Sequence, residues 1–169
     1  MRYLPIGDSG KSALVDDGKY DELMEYRWHL CGGYARTWHV IPGLYSGDPF
    51  EIRLVIPMSN IVLGYKPGYI IDHKNRKPLD NRKSNLRYAT YGQNACNSAR
   101  RANRSGYRGV IKRSSALNSW SAQICYEGKQ VHLGMYETPQ AAAIAYDKAA
   151  RELHGEFAFC NFGEEVSNG

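Results

Sequence analysis

An aspartate, a histidine and an asparagine near the middle of the chain have side chains suited to hydrolysis of a phosphodiester bond. Asp72 and His73 are adjacent, and Asn94 follows after a polar loop and a second apolar run. A carboxylate and an amide carbonyl are hard oxygen ligands that suit Mg²⁺, which completes its coordination shell with water and substrate phosphate. An imidazole beside that ion is suited to remove a proton from the attacking water. These residue types predict one divalent metal ion beside one general base.

The same residues also have plainer interpretations. His73 is compatible with an ordinary surface histidine, and Asn94 with a residue that caps a helix. Judged from residue types alone, both interpretations stay open.

The segments around these residues predict how they are positioned. Residues 69–71 form a short apolar strand that ends at Asp72 and His73. The loop that follows is rich in Asn and Asp, which favour local turns over a regular strand or a long helix. Residues 86–90 are predicted to form a second strand, and the next segment is predicted to form a short helix that carries Asn94.

The positive charge of the chain is concentrated around this stretch. The 169 residues have a formal charge of +5, but residues 72–113 hold 12 Lys or Arg against 2 Asp or Glu. A solvated surface is one explanation, yet cations crowded beside a hydrolytic site favour a polyanion as partner. Nucleic acid is the natural candidate, because cations displace the counterions condensed on its phosphates.

Length and composition are those of ordinary folded domains. Hydrophobic residues make up 43% of the chain, enough for two compact units. No apolar stretch approaches the roughly 20 residues of a membrane-spanning helix, and the first residues lack the apolar core of a signal peptide. We therefore expect an intracellular, cytoplasmic protein without a membrane partner. The four cysteines form no CxxC pair and are expected to be reduced thiols.

The first 66 residues predict a small, mainly β unit with one short helix. We expect a strand at residues 12–16, then a helix with Leu23 and Met24 on its apolar face, then a hairpin around a Gly-Gly pair. A loop rich in Gly and Pro follows. In residues 50–58 every second residue is apolar, including Leu54, which predicts a strand with one covered face.

The last part of the chain predicts a three-stranded antiparallel sheet packed on one helix. The strands are expected at residues 107–113, 120–126 and 131–136. Thr138 is suited to cap the helix and Gly155 to end it. The helix has one stripe of mostly small residues that is predicted to pack on the sheet: Ala142, Ala145, Tyr146, Ala149, Ala150 and Leu153. The predicted fold class of the whole chain is α+β.

The string IDHKNRKPLDNRKSNLRYATYGQN, which starts at Ile71, closely resembles the HNH motif of the ββα-metal endonucleases, in the form common among phage and intron-encoded homing endonucleases. The resemblance implies that Asp72 and Asn94 bind the metal and that His73 is the general base. Asn85 matches the middle asparagine, whose implied role is to hydrogen-bond across the loop and hold the backbone that carries the base. The implied cofactor is Mg²⁺, for which Mn²⁺ or a similar ion would substitute.

Six cations surround this motif. They would keep a polar loop soluble, but beside a nuclease motif we interpret them as contacts to backbone phosphates, which position DNA without reading its sequence. They are Lys74, Arg76, Lys77, Arg82, Lys83 and Arg87.

Residues 105–162, from SGYRGVIKR onward, resemble the DNA-binding domain of the plant ethylene-response factors, of the APETALA-2/ERF type. That family lays its three-stranded sheet in the major groove of duplex DNA. The implied DNA contacts are Arg108, Lys112, Arg113, Trp120 and Gln123. Trp120 is equally compatible with a core residue. Ile111, Cys125 and His132 depart from the plant pattern, so the plant target sequence does not carry over.

Together these features predict a metal-dependent DNA endonuclease, of homing type and nicking one strand, with a C-terminal domain that binds duplex DNA. A catalytically inactive DNA-binding regulator is the alternative, and an RNA-binding or RNA-cleaving protein fits the charge equally well.

Double-stranded DNA is the expected partner, no protein partner is implied, and a monomer and a homodimer are both compatible. We expect a nuclease domain at residues 1–97 with its motif at 69–97, a basic linker at 98–106, an ERF-type domain at 107–163 and a tail at 164–169.

Overall fold

The computed structural model describes residues 1–41, 52–98, 105–114 and 119–163. The chain forms two compact units, Met1–Thr90 and Tyr91–Gly169. Small antiparallel sheets and helices occur in both, which confirms the predicted α+β class. None of the helices in these ranges is long and apolar enough to cross a membrane.

The first unit contains seven strands and two short helices in the described ranges. The strands pair antiparallel as β1 with β2, as β3, β4 and β5 in one sheet, and as β6 with β7. Their bounds are β1 Arg2–Pro5, β2 Ser12–Val15, α1 Asp17–Met24, β3 His29–Cys31, β4 Tyr34–Ile41, β5 Ile52–Pro57, α2 Met58–Leu63, β6 Ile70–His73 and β7 Leu86–Ala89.

Among the described residues of the first unit, one cluster of apolar side chains forms the core. Trp28 is 3% exposed, and its indole N–H donates to the carbonyl of Leu23 at 2.7 Å, so its polar atom is satisfied inside the core. The other large members of the cluster are Leu4, Ile6, Val15, Leu23, Met58, Val62 and Leu86.

Several short elements of this unit differ from expectation. Neither β1 nor α2 is predicted from sequence, because β1 buries one residue and ends at a proline and α2 lacks a side-chain cap. Met24 is 49% exposed, since α1 is short and buries only Leu23. In β5, both Leu54 and Val55 are exposed, so the expected single covered face is not found there.

The second unit contains the predicted three-stranded sheet on one helix. The sheet has the strand order β10-β9-β8, with both pairs antiparallel. The elements are α3 Tyr91–Asn97, β8 Val110–Ser114, β9 Ser119–Tyr126, β10 Lys129–Tyr136 and α4 Pro139–His154.

Local chemistry accounts for the ends of α4 and for its close packing. The Thr138 side chain accepts a hydrogen bond from the Ala141 N–H at 3.2 Å, and Gly155 follows the last turn with a φ of 52°. The buried face of the helix is mostly alanine, which lets the backbone approach the sheet. Gly109 has a φ of 73°, and a Cβ there would lie 2.0 Å from Tyr146 Cδ2, so only glycine fits.

Two predicted connections lie largely outside the described residues: the Gly-rich and Pro-rich loop before β5 and the basic linker after α3. Helix α3, which the sequence places in the nuclease domain, groups with the second unit.

Candidate active site

The hairpin of β6 and β7 carries Asp72 and His73 at the end next to its loop. Asp72 faces Arg87 across the ladder, and His73 faces Leu86. The Asp72 Oδ2 atom accepts from Arg87 Nε and contacts the second guanidinium nitrogen, both at 2.8 Å. The two side chains are only 6% and 9% exposed. An arginine therefore holds the candidate metal-binding carboxylate in one orientation.

His73 is buried at the end of β6 and contacts an asparagine of the loop that follows. Its Nε2 atom lies 3.3 Å from Asn81 Oδ1, and Asn81 is 2% exposed. An amide oxygen only accepts hydrogen bonds, so this contact favours the tautomer with the proton on Nε2 and the basic lone pair on Nδ1. The ring of Tyr34 lies beside the imidazole, with 5.9 Å between ring centroids.

Burial lowers the pKa of His73 below its ordinary value of 6.5. The hydrogen bond with Asn81 and the charges of Asp72 and Asp80 act in the opposite direction, but the cost of desolvating the imidazolium is larger. At neutral pH the ring is therefore neutral, the form in which it can accept a proton.

The loop between β6 and β7 is organised by the side chain of Asn85. Its Oδ1 accepts from the Asn75 N–H at 3.1 Å, and its Nδ2 donates to the Asp80 carbonyl at 2.8 Å and to Asn75 Oδ1 at 3.0 Å. Immediately after His73, the Arg76 N–H donates to the His73 carbonyl at 2.8 Å in a tight turn. Such contacts fix the backbone on which the imidazole sits.

The far part of the loop is anchored to strand β2 and by an ion pair. The Leu14 N–H donates to the Leu79 carbonyl at 2.7 Å, and the Asn81 N–H donates to the Leu14 carbonyl at 2.8 Å. Arg82 donates to both oxygens of Asp80, at 2.7 and 2.6 Å, and these bonds lower the pKa of Asp80. Asn81 thus reaches His73 from a loop that is tied down at several points.

The candidate metal ligands are divided between the two units. Asp72 lies at the end of β6 in the first unit, and Asn94 lies on α3 in the second. In the described ranges, no three side chains from His, Cys, Asp and Glu cluster as metal ligands. The donor types nevertheless fit a hard ion, because an ordered carboxylate has lone pairs beyond those used by Arg87 and an amide carbonyl is a second oxygen donor.

The cations around the motif fall into two groups. Arg87 and Arg82 are held by carboxylates of the chain, and Lys74 Nζ donates to the Ser84 carbonyl at 3.0 Å. The side chains of Arg76, Lys77 and Lys83 are exposed on the loop.

In the second unit, two residues that were predicted to contact DNA, Arg108 and Trp120, make contacts within the protein. Arg108 donates to the Ser98 carbonyl at 2.7 Å and to the Ala95 carbonyl at 3.3 Å, at the C-terminal end of α3. A cation at this end of a helix satisfies carbonyls that lack intrahelical partners. Trp120 packs against the core cluster that contains Val110. This contact agrees with its interpretation as a core residue.

The remaining three predicted contacts are on or near the surface of the sheet. Lys112 and Arg113 are exposed, and Lys112 Nζ lies 5.6 Å from the centre of the Trp120 ring. Gln123 pairs with His132 and alternates with buried residues of β9, so it lies on the face away from α4.

Sequence reasoning missed two residues near the candidate base. Asn81 sits in the Asp-Asn-Arg run of the loop, where it reads as one more turn-forming residue. Tyr34 follows the Gly-Gly pair and reads as the first residue of a strand. Neither has a local signal, because each reaches His73 through the path of the chain in space.

Known proteins match this chain in both units. The model of the HNH endonuclease family matches residues 61–96, the range that contains the Asp72–His73 pair, Asn85 and Asn94. An uncharacterized HNH endonuclease of Acanthamoeba polyphaga mimivirus is 30% identical over 154 residues, covering 90% of this chain and 75% of the relative. Protein 3.8 of Escherichia phage T7 is 35% identical over 92 residues, covering 54% of this chain and 74% of the relative.

A plant protein matches the C-terminal part. An ethylene-responsive transcription factor of Arabidopsis thaliana is 44% identical over 64 residues, which is 37% of this chain and 34% of that protein. The two resemblances noted in the sequence are therefore confirmed.

Proposed function

The chain is a member of the HNH endonuclease family, and we propose on that basis that it hydrolyses DNA phosphodiester bonds with the help of one divalent metal ion at the end of β6. The observation that carries the proposal is the buried His73 beside Asp72, each held by a neighbouring side chain. An oriented imidazole and an oriented carboxylate are the protein groups that this reaction needs.

His73 acts as the general base. As the oxygen of a water molecule attacks the phosphorus, the Nδ1 atom of His73 accepts the proton, and the bond from phosphorus to the leaving oxygen breaks. Asn81 holds the Nε2 side of the ring, so the imidazole keeps the tautomer that the step requires. Asn85 holds the loop backbone behind it.

Asp72 and Asn94 would hold the metal ion, and the ion pair with Arg87 orients the Asp72 carboxylate for metal binding. When bound, Mg²⁺ or a similar ion such as Mn²⁺ would stabilise negative charge on the phosphate and on the leaving oxygen. The exposed cations Arg76, Lys77 and Lys83 contact backbone phosphates on either side of the cleaved bond.

One base and one metal site per chain cut one strand, so the product is a nick. Two cuts require two chains or two binding events. Matches to proteins of a phage and of a giant virus support a role in a mobile element, of the homing type.

The second unit binds duplex DNA near the cleavage site. The match of the C-terminal part to a transcription factor supports this role, and the outer face of the sheet presents Arg113 and Gln123. Tethering a binding domain to a nuclease raises the effective concentration of the cleavage site, so modest contacts from each add to useful affinity.

A plasmid-nicking assay tests the nuclease proposal. Wild type with Mg²⁺ should convert supercoiled to open-circular plasmid, and EDTA should stop the reaction. His73→Ala should lower the rate by roughly 10² to 10⁴, the range for loss of a general base. His39→Ala, which removes an exposed histidine of β4, is the matched control and should cut like wild type. Absence of metal-dependent nicking by wild type would favour the inactive DNA-binding regulator.

A further inference from the structure

One face of the β3–β4–β5 sheet begins at the candidate base and is open to solvent. Along β4, Tyr34 and Trp38 are exposed and Arg36 is partly exposed, whereas Ala35 and Thr37 are buried on the opposite face. Val55 is paired with Trp38 on β5 and is 41% exposed. We call Tyr34, Arg36, Trp38 and Val55 the outer face of this sheet.

Tyr34 connects this face to the catalytic site. Its ring centroid lies 5.9 Å from that of His73 and 5.7 Å from the guanidinium carbon of Arg36. Residues on one face of a strand are about 6.6 Å apart, so Tyr34 to Trp38 spans about 13 Å. That length corresponds to about four nucleotides of one strand in a duplex at 3.4 Å each.

Arg36 differs from three other arginines of the first unit in its contacts. Arg2, Arg82 and Arg87 each pair with a carboxylate. In the described ranges no carboxylate pairs with Arg36: its Nη1 atom donates to the weak acceptor Cys31 Sγ at 3.9 Å, and its buried Nε has no hydrogen-bond partner.

The chemistry of the face is complementary to a polynucleotide backbone. The three strands contain no Asp or Glu, while Arg36 and Arg53 supply positive charge. A guanidinium short of acceptors is satisfied by a phosphate oxygen, which supplies both an acceptor and an opposite charge. Trp38 is 51% exposed beside Val55 and offers an apolar surface to a sugar or a base.

We propose that the outer face of this sheet is a substrate-binding surface that holds the DNA strand leading into the cleavage site. Arg36 contacts one backbone phosphate, and Trp38 with Val55 packs against the next nucleotides. This inference rests on the proposed function, because a strand held at Tyr34 is useful only if His73 acts on the phosphate beside it. It adds a binding surface on the nuclease unit that is separate from the sheet of the second unit.

The test measures DNA binding apart from cleavage. Full-length protein with His73→Ala is titrated into labelled duplex DNA between about 50 and 200 mM salt. Adding Arg36→Gln should reduce the slope of log K against log salt by about 0.9, the value for one lost phosphate contact, and Arg36→Lys should keep most of the slope. Adding Trp38→Ala should weaken binding roughly fivefold or more without changing the slope.

Two controls match these changes. Lys11→Gln removes a cation from the turn between β1 and β2, and Tyr3→Ala removes an aromatic side chain that is 71% exposed on β1. Both should bind DNA like the parent. Circular dichroism melts show whether each variant is folded. Because Trp38 is half exposed, Trp38→Ala is expected to fold, so it tests the proposal even if an Arg36 variant does not fold.

The outcomes separate this inference from the nuclease function. If the Arg36 and Trp38 variants bind like the controls while wild type still nicks plasmid, the inference is overturned and the nuclease function stands. If wild type shows no metal-dependent cleavage, both are overturned. If Trp38→Ala changes the mass measured by sedimentation and leaves DNA affinity intact, the face is an interface between two copies, which also overturns the inference.

Discussion

Asp72 and Arg87 face each other across the β6–β7 hairpin and form an ion pair in which both side chains are nearly buried. A buried carboxylate that loses its partner keeps its desolvation cost without compensation. The pair therefore makes Arg87 a positioning residue for the proposed metal ligand.

Replacing Arg87 should destabilise the first unit. Arg87→Ala is expected to lower the free energy of unfolding by about 3 to 5 kcal/mol, because the buried Asp72 carboxylate loses the guanidinium that offsets its desolvation. Urea denaturation followed by circular dichroism measures the loss. Lys77→Ala, which removes an exposed cation of the same loop, should cost less than about 0.5 kcal/mol. Equal midpoints for the two variants would contradict the buried pair.

The lowered pKa of His73 predicts a pH dependence of stability. In the unfolded chain the imidazole titrates near 6.5, whereas in the folded chain burial shifts the pKa downward. Between these two values the unfolded state binds more protons, so stability falls as the pH drops below about 6.5 and levels off below the folded pKa. Urea midpoints from pH 5 to 7.5 with EDTA should therefore fall less for His73→Gln than for wild type.

A second histidine makes the comparison with His73→Gln necessary. Burial also lowers the pKa of His154, which contributes a slope of the same sign in both proteins. The difference between the two curves isolates His73, and identical curves would show that its pKa is not lowered.

Asn81 should control the tautomer of the base. Asn81→Ala removes the acceptor from His73 Nε2 and is expected to cost about 1 to 3 kcal/mol of stability, since buried polar groups lose partners. It should lower kcat with little change in KM, because it changes the base rather than DNA binding. Nitrogen NMR of the histidine ring should find the Nε2–H form in wild type and a mixture in the variant. An unchanged spectrum would show that Asn81 does not set the tautomer.

Substitution of Arg108 and substitution of Arg113 should have different effects on stability and on the salt dependence of DNA binding. Arg108→Ala loses the hydrogen bonds to the end of α3 and should lower the stability of the second unit by about 1 kcal/mol, with the salt dependence of DNA binding unchanged. Arg113→Ala should leave stability unchanged and reduce the salt slope by about 1. Thermal melts and salt titrations of both variants measure these effects. A reduced salt slope for Arg108→Ala would show that Arg108 contacts DNA.

Much of the fold could be predicted because it depends on local chemistry. Helix α4 begins after Thr138 and ends before Gly155, and a turn with positive φ at Glu127 and Gly128 joins β9 to β10. β1 and α2 could not be predicted, because β1 buries one residue and ends at a proline and α2 lacks a side-chain cap. The exposed Met24 and Leu54 were also missed, since burial depends on what packs nearby.

By itself, the sequence determined which chemical groups are neighbours along the chain, above all Asp72 with His73 and the cluster of cations after them. Only the tertiary structure decided which cation is held by the Asp72 carboxylate, which asparagine contacts the imidazole and which open sheet face adjoins it. Arg87, Asn81 and Tyr34 reach these positions through strand register and the path of a loop. Periodicity and spacing report on one element at a time and do not encode such contacts.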